Sequence, residues 1–495
     1  MGEHGPEALV FAGDGGGEDR DGSGIGWIFH AAETTARQTA ANAKCTDVAS
    51  PKRGVLVVSI CLADLANRLS PFPFAFHFYP ARSLENSAAP TPARSPLGLI
   101  FLTLFIDMVG FGIVIPVLPL YAEGSRIGAT NSQLMWIVGI YSLFQLVCSP
   151  LFGKISDRIG RKPVLVVSII GTAVGFVILG AANSVWMLVL GRIIDGASGG
   201  NISTAMACIA DVTTKENRSR NMGLVGAAFG LGFMIGPAIG GVLSKHFGLA
   251  TPFYFAAGLA LLNALLVWLR LPETLTAESR ERARHRATIG EVFQGGRARM
   301  ITAILASQLA SITGFSIMTA LFALYCEKRF NYDTAQVGYL LAYVGLLGVI
   351  FQGGLLRRLL KRPIEKQLAI AGAIVLALSM AALPFTHSLG VLMVVCFGIS
   401  LGNSFVTPTL NGLASRTSDA HCQGRLLGLM QSAGSLGRFL GPVIGFALVS
   451  HDAAADYART SFFASAAILA LATVCILLVS PAPQPEVVPD AIPEG

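Results

Sequence analysis

Long apolar stretches recur along this chain from Pro96 onward, and they constrain the fold more than any other feature. Each has about 20 residues, which as a helix reaches across a hydrocarbon core of about 30 Å. With 53% hydrophobic and 13% charged residues, the chain carries more apolar surface than a water-soluble core can bury. We therefore predict an all-α polytopic membrane protein with twelve spans, over residues 97–121, 132–152, 163–182, 185–208, 222–244, 252–271, 300–325, 335–356, 366–385, 388–411, 425–449 and 459–480.

The segments outside the spans differ in composition. The first 95 residues are rich in Gly, Pro, Ala and Ser and hold no apolar run long enough to span, while acids at Glu3, Glu7 and Asp14 argue against a signal peptide. The predicted organisation is a disordered extension over 1–95, a six-helix half over 96–271, a charged central loop over 272–299, a second six-helix half over 300–480 and a disordered tail over 481–495.

The basic residues cluster on one side of the predicted membrane. When the loops are counted from a cytoplasmic N-terminus, the inner loops hold most of the Lys and Arg, and the outer loops hold only Arg126, Lys245, Lys328, Arg329 and Arg459. Cytoplasmic loops carry such an excess, so we predict a plasma (inner) membrane protein with both termini in the cytoplasm. The net charge of +7 therefore reflects membrane topology, and no nucleic-acid partner is expected.

The chain also contains an internal repeat. The stretch "GLVGAAFGLGFMIGPAIG" from Gly223 matches "GLMQSAGSLGRFLGPVIG" from Gly428, 205 residues later. Likewise "GKISDRIGRKP" from Gly153 matches "GGLLRRLLKRP" from Gly353, 200 residues later. Ordered matches with a nearly constant offset predict two six-helix halves related by a parallel repeat.

Several of these stretches resemble motifs of the major facilitator superfamily. "GKISDRIGRKPVL" (153–165) is similar to the family's signature loop between the second and third helices, and "LGRIIDG" (190–196) to its fourth-helix signature. "GLGFMIGPAIGG" (230–241) resembles the fifth-helix Gly-Pro signature of exporting antiporters. "DMVGFGIVIPVLPLY" (107–121), "IADVT" (209–213) and "LPETL" (271–275) resemble the tetracycline exporters of the drug/proton antiporter group. The resemblance covers about 97–480 and implies the major facilitator fold.

The resemblance implies roles for two blocks. Asp157 would form a conformational latch by facing the start of the eleventh span, since a helix N-terminus favours an anion. The alternative is that Asp157 only folds the loop. The other latch residues are Gly153, Arg158, Gly160, Arg161 and Lys162, and Gly153 is expected to let two helix ends approach closely.

The glycines and prolines of the repeated block form a second group. Small residues allow helices to pack closely in lipid, which predicts an interhelix scaffold of Gly232, Gly236, Pro237, Gly240, Gly437, Gly441 and Pro442.

Charged residues within the membrane are the best candidates for a functional site. Four lie well inside the predicted spans: Asp107, Arg192, Asp195 and Arg438. Arg192 and Asp195 are three residues apart on one helical face and can pair. Burial of Asp107 favours its neutral form, so we expect it to carry the coupling proton, and the resemblance also implies coupling by an acid at this place. If the pair of Arg192 with Asp195 opens during the cycle, Asp195 becomes a second protonation site. Alternatively, these acids are permanently paired and structural.

Arg438 lies near the middle of the eleventh span, where a charge costs about 2.5–3.5 kcal/mol on insertion scales. We expect a buried carboxylate, Asp107 or Asp195, beside it. Either this ion pair is fixed, or Arg438 faces the cavity and alternates between an aspartate and a substrate anion. The polar residues that could line the cavity with it are Gln308, Ser311, Asn403, Asn411 and Asn201, although each could simply bridge helices.

These features predict a secondary active transporter that exports a lipophilic drug or metabolite by proton-coupled antiport and alternating access. The alternatives are a proton-coupled importer of a polar solute, such as a sugar or organic anion, and a receptor or scaffold that does not transport. The chain lacks a phosphate-binding loop and metal-ligand spacings, so we expect no enzyme activity, cofactor or metal. Its predicted partners are a small molecule, protons and membrane lipids, and it is expected to be a monomer. The eighth to tenth spans lack the acid and the histidine that tetracycline exporters use in their second half.

Overall fold

The computed structural model describes residues 96–124, 127–213, 218–276, 288–294, 297–360, 362, 364–418, 422–453 and 456–479. The predictions for the N-terminal extension and the tail concern residues outside this description, and residues 277–287 and 295–296 of the central loop also lie outside it. Within the described ranges the secondary structure is helical, with no strand.

The helices follow the predicted spans closely. They are α1 (Leu97–Glu123), α2 (Asn131–Ile159), α3 (Arg161–Gly180), α4 (Val185–Ser198), α5 (Asn201–Asp211), α6 (Arg218–Phe247), α7 (Thr251–Arg270), α8 (Ala298–Phe330), α9 (Thr334–Ile350), α10 (Glu365–Ala382), α11 (Leu389–Thr417), α12 (Gln423–Val449) and α13 (Arg459–Leu477). A four-residue helix, Ile289–Val292, precedes α8, and the π-helical turn Phe351–Leu356 and the short helix Arg357–Leu359 continue α9. Eleven helices in the described part of the chain are long and apolar enough to cross a membrane. The fourth predicted span, divided between α4 and α5, brings the number to twelve.

The fourth span is interrupted at Gly199 and Gly200, where the sequence predicted one continuous helix. Neither glycine has room for a side chain. A Cβ on Gly200 would stand 2.5 Å from Cβ of Phe152, and one on Gly199 would stand 3.0 Å from Nε2 of Gln145. The interruption therefore lies in a part of the span that packs closely on α2.

Each half is built from closely packed helix pairs, and the predicted glycine scaffold lies inside the halves. In the first half, Gly232, Gly236 and Gly240 of α6 pack on the backbone of α1, so that a Cβ on Gly236 would stand 2.6 Å from the Val109 carbonyl oxygen. In the second half, Gly441 of α12 packs on α8 in the matching way. This arrangement agrees with the parallel repeat in the sequence.

The two halves meet along α6 with α9, α2 with α12, and α1 with α8. At one end of the bundle, which we call the interlocked end, polar contacts join the halves. Lys245 Nζ lies 2.8 Å from Asp333 Oδ2, and Ser244 Oγ lies 2.6 Å from Thr334 Oγ1. Lys328 forms a further ion pair with Glu123 across the same boundary.

Helices α6 and α9 separate towards the opposite end, which we call the open end. At the interlocked end a Cβ on Gly241 would stand 2.5 Å from the Thr334 carbonyl oxygen, whereas one on Gly230 would stand 3.3 Å from Val349. A Cβ on Gly226, which lies on the same face of α6 at the open end, would have nothing within 4 Å. The halves therefore form a V that is closed at one end.

Gly153 lies at the open end. A Cβ on it would meet nothing within 4 Å, so the expectation that this glycine brings two helix ends together is wrong for this conformation. The reason is the separation of the two halves, which leaves space beside the end of α2.

Candidate functional site

An acidic cleft lies between α1, α2, α3 and α4 in the first half. Its walls are formed by Asp107, Phe111, Tyr141, Phe176, Asp195 and Asn201, among others. Asp107 accepts a hydrogen bond of 2.6 Å from Asn201 Nδ2. Within the described residues Asp107 forms no ion pair, so its nearest polar partner is a neutral amide.

The second acid in the cleft is neutralised by a cation. Arg192 Nη1 lies 3.0 Å from Asp195 Oδ2, and both side chains are buried, which confirms the predicted pair. Arg192 also donates to the carbonyl oxygen of Ile137 at 3.3 Å. Its guanidinium lies over the ring of Tyr141, 4.4 Å from the centroid, in a cation–π contact. This ion pair is therefore fixed by contacts from α2.

Tyr141 and Gln145 connect the cleft to the second half. They lie one turn apart on α2, and Gln145 Nε2 donates to Tyr141 Oη at 3.0 Å. On its other side, Gln145 Oε1 accepts a hydrogen bond of 3.3 Å from Arg438 Nη2 of α12. A chain of polar contacts thus runs from Arg438, across the boundary between the halves, to the Arg192–Asp195 pair.

The expectation that Arg438 contacts an aspartate is wrong. Its partners are Gln145 and the hydroxyl of Ser435, which accepts from Nη2 at 2.9 Å, and it forms no ion pair within the described part of the chain. Asp107 is engaged by Asn201 and Asp195 by Arg192, and the guanidinium of Arg438 is engaged by Gln145 instead. Arg438 is half-buried and points to the boundary between the halves.

The other predicted cavity residues differ in their surroundings. Gln308 and Ser311 of α8 are buried, and Oε1 and Oγ respectively have no hydrogen-bond partner. Asn403 and Asn411 of α11 are half-buried and make no hydrogen bond to another described residue. Asn201 lies in the acidic cleft instead. The structure therefore does not bring the five polar candidates into one cluster.

Aromatic rings supply the apolar surface beside the charged groups. The Phe111 ring lies 5.7 Å from that of Tyr141 and 5.8 Å from that of Phe233, measured between centroids. Across the boundary, Trp136 of α2 packs on Phe439 of α12 at 6.3 Å. The site thus combines separated charges with aromatic walls, which suits amphipathic small molecules.

The loop between α2 and α3 lies at the open end and is joined to its own half. Arg161 is buried there and forms ion pairs with Asp157 at 2.7 Å and with Asp211 at 2.9 Å. Glu273 accepts hydrogen bonds from the backbone N–H groups of Arg161 and Lys162, at the first turn of α3. Gly160 has a φ of 117°, which favours glycine. The predicted contact of Asp157 with the start of the eleventh span stays a prediction.

Sequence reasoning missed Asp211 and Glu273 as members of this loop network. Both occur in motifs that the sequence already singled out, "IADVT" and "LPETL". Each acid comes at the end of a predicted span that leads towards the cationic motif at 153–165. That position could have predicted its contact with this motif. Within the described residues, no group of three or more His, Cys, Asp or Glu side chains could hold a metal ion.

Comparison with known proteins identifies relatives along most of the chain. Residues 100–442 match the sequence profile of the Major Facilitator Superfamily. The tetracycline resistance protein, class C, of Escherichia coli is 32% identical over 364 residues, covering 73% of this chain and 91% of that protein. Multidrug resistance protein 2 of Bacillus subtilis (strain 168) is 28% identical over 355 residues, covering 70% of this chain and 87% of that one.

Among solved structures, the human organic anion transporter MFSD10 (TETRAN) superposes with a TM-score of 0.62 at 23% identity. The match covers 78% of this chain and 100% of that chain. This similarity concerns the fold.

Proposed function

This chain belongs to the major facilitator superfamily, and from that premise we propose that it exports a lipophilic drug or metabolite in exchange for protons. It is an integral, multi-pass membrane protein and a secondary active transporter. The relatives named as tetracycline and multidrug resistance proteins support drug efflux as the direction of transport. We propose a carrier without enzyme activity, in which the site residues bind and release their ligands.

The observation that carries proton coupling is the contrast between the two acids of the cleft. Asp195 is balanced by Arg192 at 3.0 Å, whereas Asp107 faces only the neutral amide of Asn201. A carboxylate within a span is costly unless it is balanced. Binding of a proton balances the charge of Asp107 without any movement of the protein. We therefore assign the exchanged proton to Asp107, and a supporting role to the Arg192–Asp195 pair.

The V-shaped arrangement supports alternating access. Lys154 and Arg158 in the last turns of α2 and Lys162 in the first turn of α3 lie at the open end, and an excess of cations marks the cytoplasmic side. We therefore propose that the open end faces the cytoplasm, that both termini lie there, and that the interlocked end faces outwards. In this inward-facing state, Asp157 pairs with Arg161. Closing the cytoplasmic end would bring the loop against α12, where Asp157 would act as the latch.

We further propose that a single chain is the transporting unit, placed in the plasma (inner) membrane. Both walls of the cavity come from one chain, because α2 of the first half faces α12 of the second. Lipids surround the helix faces that carry exposed apolar side chains, such as Trp186, Leu378 and Val394.

The test is proton exchange in everted membrane vesicles whose lumen has been acidified. On addition of a lipophilic probe that it accepts, from a panel of anionic, neutral and cationic aromatic compounds, an exporter takes the probe into the lumen and releases protons, so the lumen becomes more alkaline. We expect this response from the wild type and none from Asp107→Asn. The matched control is Asp456→Asn, which changes an exposed acid in the loop before α13 and should keep the response.

Two outcomes would contradict the proposal. One is proton exchange by Asp107→Asn at the wild-type rate throughout the pH range. The other is alkalinisation of right-side-out vesicles only, which would indicate the importer of a polar solute instead.

A further inference from the structure

We propose that Arg438 is the anchor of an anion subsite, which binds the carboxylate or another monoanionic group of an amphipathic substrate. The inference rests on the proposed transport function and adds the charge class of the substrate to it. The subsite lies on the second half of the chain, separate from the acidic cleft of the first half.

The first argument is the chemistry around the guanidinium. Arg438 has only neutral partners, Gln145 and Ser435, and both bonds use one nitrogen, Nη2. Within the described residues its Nη1 and Nε donate to nothing. Arg192, by contrast, has a carboxylate at 3.0 Å. A guanidinium presents a planar fork of donors that matches a carboxylate, so Arg438 is equipped for an anion that the described part of the chain does not supply.

The second argument is independent and comes from α8. Gln308 is only 6% exposed, and its Nε2 donates to no other described residue, so this buried amide has a donor free for a ligand. Two donors lie near the point where Gly434 would carry a Cβ. Gln308 Nε2 is 4.0 Å from that point, and Arg438 Nη1 is 3.6 Å from it. The absence of a side chain at Gly434 leaves space where two donors converge on one acceptor group.

The aromatic walls indicate the rest of the ligand. Phe439 follows Arg438 on α12, and its ring packs at a tilt of 45° against that of Trp136 in the first half. A ligand held by its anion at Arg438 can therefore place a ring at the boundary between the halves. The substrate class that fits is an aromatic monoanion, while a cationic group at the same place would meet the guanidinium.

Gln145 gives this subsite a connection to the proton site. Its Oε1 accepts from Arg438, and its Nε2 donates to Tyr141, which lies under Arg192. A carboxylate that binds both Nη1 and Nη2 of Arg438 competes with Gln145 Oε1 for Nη2. Binding of substrate is thereby transmitted to the α2 side chains that hold the Arg192–Asp195 pair.

The test uses three probes that share one fluorophore and differ in charge: dansylglycine, an anion; dansylglycinamide, which is neutral; and dansylcadaverine, a cation. Binding to the full chain, purified in detergent, is followed by dansyl fluorescence. We expect dansylglycine to bind at least about tenfold more tightly than the other two, and Arg438→Gln to remove this preference. Arg459→Gln, which changes the first residue of α13 at the interlocked end, is the matched control and should keep this preference.

A second variant guards against a folding defect. Gln308→Leu replaces a buried amide whose Oε1 has no partner, so the thermal stability of the protein should not fall. The variant should nevertheless weaken the binding of dansylglycine about 3- to 10-fold and leave the affinity for dansylcadaverine unchanged. Arg438→Lys, which keeps the charge but not the fork, should give an intermediate loss.

The proposal is overturned if dansylglycine does not bind, if it binds Arg438→Gln as tightly as the wild type, or if all three probes weaken equally in that variant. Equilibrium binding requires no gradient, so the result is independent of proton exchange. Dansylglycine bound by a protein that fails the vesicle assay would contradict the proposed export and leave the subsite intact. Proton exchange with ethidium, together with no binding of dansylglycine, would contradict the subsite and leave the proposed export intact.

Discussion

Asn201 Nδ2 lies 2.6 Å from Asp107 Oδ1 and joins the first helix to the first residue of α5. The Oδ1 atom of the same amide accepts a hydrogen bond of 2.7 Å from the backbone N–H of Ile202, which orients Nδ2 towards the acid. Asn201 follows directly on the interruption at Gly199 and Gly200. The break in the fourth span thus places the one hydrogen-bond donor that the described structure gives to Asp107.

Replacement of Asn201 by Leu should slow efflux. The change leaves the carboxyl of Asp107 without its donor, at a cost of about 1–3 kcal/mol for a buried polar group, which corresponds to roughly a tenfold lower initial rate. The measurement is the rate of probe uptake into everted vesicles under an imposed pH gradient. Asn263→Leu is the matched control, because Asn263 makes a comparable bond of 3.3 Å to α1 through the Thr103 carbonyl, away from the acid. Equal losses in both variants would mean that Asn201 only supports the packing.

The ion pair of Lys245 with Asp333 should hold the interlocked end closed in a pH-dependent manner. The hydrogen bond from Lys245 keeps the pKa of Asp333 below its ordinary value. A lowered pKa means that the stabilisation is fully present above the ordinary value of about 3.9 and is lost as the pH falls through the lowered pKa. The contact should therefore be constant near neutrality and fail only in acid.

Asp333→Asn tests this contact at neutral pH, since asparagine keeps the helix cap of α9 while it removes the charge. Spin labels on cysteines placed at Ser132 and Ser450, two exposed positions on opposite halves at the interlocked end, report the distance between the halves. Both side chains of the pair are partly exposed, so the pair contributes little energy. We expect the ratio of molecules with a long distance between the labels to those with a short one to rise by about twofold to fivefold. Asp456→Asn, whose pair with Arg459 stays within the second half, should cause no such shift. An unchanged distance distribution in Asp333→Asn would remove this pair from the closure.

Replacement of Gly338 by Ala should block closure of the interlocked end. A Cβ there would overlap the carbonyl oxygen of Pro237, where α9 crosses α6. Alanine favours the helix by about 1 kcal/mol over glycine, so a loss would arise from the contact between the halves and not from α9 itself. We expect at least a tenfold lower efflux rate in vesicles with a normal amount of protein. Gly258→Ala of α7, where nothing lies within 4 Å, is the control and should transport normally. Normal efflux by Gly338→Ala would contradict close contact at this crossing during the cycle.

The sequence was sufficient for the features that depend on local pattern. The spans follow from hydropathy, the two halves from the repeat, and the Arg192–Asp195 pair from a spacing of three residues on a helix. The break at Gly199 could not be predicted in this way, because the apolar pattern continues through it and the cause is the approach of α2.

The partner of Arg438 shows the second limit of the sequence. An arginine within a span predicts a polar partner, and the two aspartates were the obvious candidates. Which group occupies the facing position depends on how α12 crosses α2, and there it is Gln145. Asp211 and Glu273 were missed for a related reason, since each contacts Arg161 or its backbone only after helices far apart in sequence are packed together.

The neutral partner of Arg438 has an electrical consequence. A carrier that exports one monoanion and admits one proton moves two elementary charges in the same sense, both as inward positive current. Each charge is worth about 2.3 kcal/mol per 100 mV, so a potential of about 100 mV, negative inside, drives this exchange by about 4.6 kcal/mol without any pH difference. Export of a monovalent cation against one proton would move no net charge. Because Gln145 is neutral, it leaves the Arg438 guanidinium available to a substrate anion. The membrane potential then contributes to the driving force for export of that anion.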